Sequence, residues 1–227
     1  MCWSVMLFAA GFGTRMKHLT RDKPKPMIDV AGKPLIDHAR DLVRDLPAGR
    51  VVANLHYKPE VLERHLNGSE VRTLLEDPDI LDTGGGLRHA LPLLGDEPVM
   101  TLNTDAVWRG VNPLRVLADA WRPEDMDALL IGIAPDRAIG SDSQGDFTPG
   151  PDGRITRGPG LIYGGAQIIR TDLLQDIPEK AFSLNLLWDM IGAKNRLYAV
   201  EYPGFWADVG HPEGIALAEE MLRSRDV

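Results

Sequence analysis

Apolar runs of strand length alternate with segments of helical periodicity along most of this sequence, and that order admits few folds. Val5–Ala10 reads as a strand. Pro34–Leu46 reads as a helix opened by a proline, with Ile36, Ala39, Leu42, Val43 and Leu46 at helical spacing. The pattern continues through strand Arg50–Leu55, helix Pro59–Leu66, strand Val71–Glu76 and helix Thr83–Leu94. Strand Pro98–Asn103, helix Leu114–Trp121 and strand Ala128–Ala134 follow. Parallel strands need crossovers of this length, and strands covered on both faces read as continuous apolar runs. The order predicts an α/β fold: a three-layer αβα sandwich on a mostly parallel mixed sheet. Ligands of such sheets sit at the carboxyl ends of the strands.

The second half differs in texture. Residues 136–160 are rich in Gly, Pro, Asp and Ser, and Pro149-Gly150-Pro151-Asp152-Gly153 reads as a hairpin turn or loop tip. Strand Leu161–Arg170, helix Leu184–Ala193, strand Leu197–Tyr202 and helix Pro212–Leu222 complete the chain. No internal repeat interrupts it. With 227 residues, 44% of them hydrophobic, it has material for one sizeable core. We expect a single domain over residues 1–227, with halves at about 1–135 and 136–227 built on the same sheet.

Composition excludes several classes. No apolar run reaches membrane-spanning length. The first residues, Met1-Cys2-Trp3-Ser4-Val5-Met6, lack a basic region and a small-residue cleavage site, so they read as the start of a strand. The one cysteine, Cys2, excludes an intrachain disulfide and a cysteine-based metal site. A cytoplasmic setting is expected. The net charge of −8, without a Lys/Arg cluster carrying interleaved aromatics, argues against nucleic acid.

The chemistry begins where the first strand ends. Leu7-Phe8-Ala9-Ala10 runs into Gly11-Phe12-Gly13-Thr14-Arg15-Met16, and Lys23-Pro24-Lys25-Pro26-Met27 follows. Glycines admit an anion close to backbone N–H groups, Arg15 offers a planar fork for phosphate oxygens, and Lys25 a point charge. A polyphosphate fits this set, with Ala10, Gly11, Gly13, Thr14, Arg15 and Lys25 around it. Met16 stands where a dinucleotide fingerprint needs its third glycine, and no Walker A element is present. Asp105 follows the strand that ends in Asn103-Thr104, where a carboxylate can hold a cation at the sheet rim or cap a turn. Asp208, in Phe205-Trp206-Ala207-Asp208-Val209-Gly210-His211, has the same two readings. Asp82-Thr83-Gly84-Gly85-Gly86 opens a helix, and its bare backbone would let a nucleobase or ribose lie flat. Asn54 and His56 close a strand on one face. Asn54 is a polar neighbour of the site, and His56 is better read as structural.

Together these motifs resemble the sugar-phosphate nucleotidyltransferases, whose signature is Gly-x-Gly-Thr-Arg-[Met/Leu] followed by Pro-Lys-Pro-[Leu/Met]. The resemblance extends to Thr-Gly-Gly-Gly, to Leu91-Pro92-Leu93-Leu94-Gly95-Asp96, to Asp146-Phe147, to Phe182-Ser183-Leu184 and to Trp206-x-Asp208. It is sharpest toward short uridylyltransferases acting on N-acetylmuramate 1-phosphate. It implies a Rossmann-like, GT-A-like fold and nucleotidyl transfer from a nucleoside triphosphate to a sugar 1-phosphate. Arg15 and Lys25 would be catalytic, and Asp105 and Asp208 would bind Mg²⁺. Asn54, Thr83, Gly84, Gly85 and Asn103 would meet the nucleotide, and Asp146, Gly164 and Asn185 the sugar. The chain departs from the family pattern with Asp82 for glutamate, Thr104 for glycine and His211 for threonine. The family's Glu-Lys-Pro lysine for the sugar phosphate is missing, which leaves Arg137, Arg154 or Arg157 to supply that cation. Guanylyl transfer to mannose 1-phosphate is a second reading, and a non-catalytic nucleotide-sugar sensor a third.

Overall fold

The computed structural model describes residues 2–95 and 98–224. Asp96, part of the resembling stretch above, lies outside the described residues. The first half contains β1 (Trp3–Phe8), a 3-10 helix at Thr14–Thr20, and the short hairpin β2 (Asp29–Val30) and β3 (Lys33–Pro34). Then come α1 (Leu35–Arg44), β4 (Ala48–Leu55), α2 (Pro59–Leu66), β5 (Val71–Leu75) and α3 (Asp82–Leu94). β6 (Val99–Asn103), β7 (Ala106–Arg109), α4 (Pro113–Ala120) and β8 (Ala128–Ile133) follow. The second half holds β9 (Ala138–Ile139), β10 (Phe147–Pro149), β11 (Ile155–Arg157) and β12 (Ile162–Ile169). It closes with α5 (Leu184–Ala193), β13 (Leu197–Glu201), β14 (Phe205–Asp208) and α6 (Pro212–Arg223).

Seven strands form the main sheet in the order β13-β8-β12-β6-β1-β4-β5. β12 runs antiparallel to both its neighbours, and every other pairing is parallel. Strand alternation divides the core. Val5 and Leu7 of β1, Leu129 and Ile131 of β8, and Ile168 of β12 face α1, α2 and α4 through Ile36, Val43, Leu62 and Leu117. Met6, Val52 and Leu130 face the other way, onto Leu87 and Leu94 of α3 and Leu187 and Ile191 of α5. Both faces are therefore covered, as the alternating order predicts. The Pro149–Gly153 turn joins the β10–β11 hairpin, in which Phe147 pairs with Arg157.

A second, three-stranded sheet has the order β7-β14-β9. Nothing in the sequence reading anticipates it: no element is assigned there to Ala106–Arg109 or Phe205–Asp208. Strands of this length show no readable periodicity, and their pairing joins segments far apart in the chain. Val107, Ala207 and Val209 bury themselves against Met16, Ile28 and Leu35 and against Ala218 and Met221 of α6. The glycine-loop region and the last helix thus share a third cluster beside the sheet rim.

Candidate active site

The glycine loop is fixed at both ends by side chains. At its start the Ala9 N–H donates to Asn54 Oδ1 (2.9 Å). At its end the Thr20 hydroxyl donates to the Gly13 carbonyl (3.2 Å). Gly13 has φ 63° and presses on Lys25, where an added Cβ would lie 2.9 Å from the lysine Cβ. Only glycine meets both demands without strain. Met16 anchors the segment in the core, while Gly11, Thr14 and Arg15 are exposed. Among the described residues the Arg15 guanidinium is thus left open to an incoming anion.

Asn54 faces this loop as a bracket. Its Nδ2 donates to Glu76 Oε1 (2.7 Å), and Glu76 Oε2 accepts the Leu81 N–H (2.8 Å). Glu76 is 1% exposed. The pair ties β1, β4 and the approach to α3 together through one buried carboxylate. Sequence reasoning passed over Glu76. Its signal was an acidic residue directly after the strand Val71–Leu75, next in line to the strand that carries Asn54.

Asp105 and Asp208 meet because β14 pairs with β7. Asp208 stands opposite Ala106, and the Val209 N–H donates to the Asp105 carbonyl (2.9 Å). Lys25, 8% exposed, reaches the same place and donates from Nζ to Asp105 Oδ2 (2.8 Å). Burial, then the nearby charge of Asp105, raises the Asp208 carboxyl above its ordinary range, against the pull of Lys25, Arg15 and His211. A carboxylate whose charge is disfavoured beside a second one fits a hard cation held between them. Among the described residues no group of three His, Cys, Asp or Glu side chains is placed to hold a metal. A cation here would therefore take its remaining ligands from phosphates and water. Thr104, where glycine is usual, is buried, and its hydroxyl donates to the Phe8 carbonyl (2.7 Å). The threonine locks the end of β6 to the end of β1.

Two clefts open at this rim. The first, about 210 Å³, is lined by Ala10, Gly11, Lys25, Asn54, Thr83, Asn103 and Asp105, together with Glu76. The second, about 280 Å³, shares Asp82 and Thr83 with it and continues over Asp146, Arg157, Tyr163, Asn185 and Trp188. Asp146 and Asn185 thus stand on the expected second side.

Gly84, Gly85 and Gly164, expected at the site, are taken up by packing and line neither cleft. Gly84 and Gly85 are buried, and both their N–H groups donate to the Phe182 carbonyl (2.8 and 3.1 Å). A Cβ on Gly84 would run into the Phe182 ring, and one on Gly85 would lie 2.5 Å from the Lys180 carbonyl. These glycines let the first turn of α3 dock on the segment before α5, and their N–H groups have no capacity left to read a base. Gly164 is buried in β12, where a Cβ would lie 2.8 Å from Trp108. It serves packing, away from the sugar side. Of the three candidate arginines, Arg137 donates to the Pro203 carbonyl and Arg154 pairs with Asp152. Arg157 alone of the three lines a cleft.

A glycine loop and a buried lysine thus stand beside paired carboxylates at the carboxyl edge of a mostly parallel sheet. Residues 5–178 match the family model of the MobA-like NTP transferase domain, and the chain belongs to that family. An N-acetylmuramate alpha-1-phosphate uridylyltransferase of Caulobacter vibrioides is 36% identical to it, over 96% of each chain. Mannose-1-phosphate guanylyltransferase 1 of Arabidopsis thaliana is 27% identical over 97% of this chain and 66% of its own. The crystal structure of HddC from Yersinia pseudotuberculosis shares the fold, with a TM-score of 0.77 at 24% identity, covering 97% of this chain and 100% of that one. The protein is a sugar-phosphate nucleotidyltransferase, which sets aside the sensor reading. No helix among the described residues is long and apolar enough to cross a membrane.

Proposed function

We propose that this enzyme transfers the uridylyl group of UTP to N-acetylmuramic acid 1-phosphate, releasing pyrophosphate. The observation that carries this reading is the 36% identity, over nearly the whole of both chains, to the muramate enzyme. The guanylyltransferase is more distant and extends well beyond the matched region. Muramate is a cell-wall sugar, so the reaction belongs to peptidoglycan recycling in the cytoplasm.

The chemistry needs no protein nucleophile. An acceptor phosphate oxygen attacks the α-phosphorus, a new P–O bond forms, and the bond to pyrophosphate breaks in line. Two polyanions must be brought together, so the protein's work is alignment and neutralisation. Arg15 and the free N–H groups of the loop hold the terminal phosphates. Lys25, already positioned by Gly13, turns from Asp105 to the α-phosphate as charge develops there. Asp105 and Asp208 would hold Mg²⁺, which when bound would supply neutralisation of phosphate charge. Thr83, at the junction of the clefts, separates base from sugar.

The test is pyrophosphate release across four nucleoside triphosphates and the 1-phosphates of muramate, N-acetylglucosamine, glucose and mannose, with Mg²⁺ or with chelator. UTP with muramate 1-phosphate is expected to give the highest kcat/KM, and chelator to stop the reaction. A preference of tenfold or more, about 1.4 kcal/mol, for GTP with mannose 1-phosphate would overturn the assignment.

A further inference from the structure

Resting on the acceptor just proposed, we propose that Arg157 determines acceptor specificity by binding the carboxylate on the sugar's non-reacting side. The two clefts share Asp82 and Thr83 alone. Lys25 and Asp105 line the first, so the acceptor's phosphate must react there, and the rest of the sugar extends past Asp82 and Thr83 into the second. Among the described residues lining that second cleft, Arg157 is the one cation.

Its guanidinium is held in place before any ligand arrives. Nε and Nη2 donate to Asp189 Oδ1 (3.1 and 2.9 Å), and Nη2 also donates to the Asn185 carbonyl (3.3 Å). The group lies over the rings of Phe147 and Trp188, 4.9 and 5.5 Å from their centroids. Nη1 has no hydrogen-bond partner among the described residues. An ordered arginine with one nitrogen unengaged binds an anion without first losing conformational freedom. Asp189 is 60% exposed, so water screens its hold on the arginine and leaves most of the charge to a ligand. The cleft's own carboxylates suit a different partner. Asp82 accepts the Thr83 N–H (2.6 Å) and Asp146 the Tyr163 N–H (2.8 Å), and each keeps lone pairs for sugar hydroxyls. The second cleft thus pairs hydroxyl acceptors with a single anion receptor, which is the pattern of a hydroxylated sugar carrying one acidic substituent.

The experiment compares kcat/KM, with UTP, for muramate 1-phosphate and for the same compound with its lactyl carboxylate converted to the amide. Both are measured in the wild-type enzyme and in Arg157→Gln. The wild type is expected to prefer the carboxylate by about tenfold or more, and the variant to use the two equally. A wild type indifferent to the amide would overturn the role of Arg157, whether or not the variant folds. So would a variant that loses rate on both acceptors while keeping the preference, because that is the mark of a structural arginine. Failure of the wild type to use muramate 1-phosphate at all would remove the acceptor assignment itself, a result distinguishable from either.

Discussion

Asp208 sets folding against the role proposed for it at the cation. Its raised titration means that the folded state prefers it protonated, because burial and Asp105 both oppose its charge. The stability it contributes is greatest at low pH and declines as pH rises through the ordinary 3.8 and on through the raised folded value. At neutral pH the ionised side chain therefore weakens the fold, the cost of its proposed place at the cation. Asp208→Asn keeps the shape and removes the charge. In chelator at pH 7 this variant should melt higher than wild type by about 2–4 °C, corresponding to ~1 kcal/mol in a chain of this size. Its turnover in Mg²⁺ should fall by about a hundredfold or more. A lower melting temperature would show that Asp208 is not strained, and near-normal turnover would remove it from the cation site. This residue could be singled out from sequence because its motif is local. So could Lys25 and Asp105. Glu76 could not, because its meaning lies in Asn54 and Leu81, which the fold brings to it.

At the scale of elements, the first turn of α3 shows why a motif can be read while its reason is missed. The glycine run is plain in the sequence, and an open platform was a fair inference from it. The structure uses all three glycines for close approach, to Phe182, to the Lys180 carbonyl and to the Asn54–Glu76 bracket. A Cβ on Gly86 would lie 2.6 Å from Glu76 Oε1 and 2.9 Å from Asn54 Nδ2. By helix propensity alone Gly86→Ala should gain up to ~1 kcal/mol. We expect a net loss of about 1–3 kcal/mol instead, because neither buried group can give way. Urea unfolding measures it, and a stabilised variant would show that the bracket yields. KM for the triphosphate should rise in the same variant, since Asn54 also holds the Ala9 N–H. The long helices and the main-sheet strands were readable because apolar periodicity repeats within each. The strands β7, β9 and β14 were not, since a few residues without a period become strands only through partners elsewhere in the chain.

Across the molecule, an ion-pair network ties α1 to α2 and to the chain just before β5. Arg40 bonds Asp37 (2.6 Å) and Glu70 (3.1 Å), Arg44 bonds Glu70 (3.0 Å), and His65 meets Asp37 (2.9 Å). Burial pushes the Glu70 carboxyl up, but hydrogen bonds from Arg40 and Arg44 outweigh it and hold it at about 2, against an ordinary 4.5. A depressed carboxylate stabilises fully above its unfolded value, and that stability is lost as pH falls from 4.5 to about 2. After allowance for solvent screening, Glu70→Gln should cost about 1 kcal/mol at pH 7 and flatten the stability profile in that acid window. Urea titrations from neutral to acid pH test this, and parallel profiles for the two proteins would show the network to be inert. The pairing of β7 with β14 has a different reach. The glycine loop, Lys25 and Asp105 are made early or midway along the polypeptide, but Asp208 joins them only through β14. On the ribosome β14 emerges after every other strand of both sheets, so the carboxylate pair is the last part of the rim to form. If Asp208 serves the cation as proposed, turnover waits until the segment beyond Phe205 has closed the second sheet.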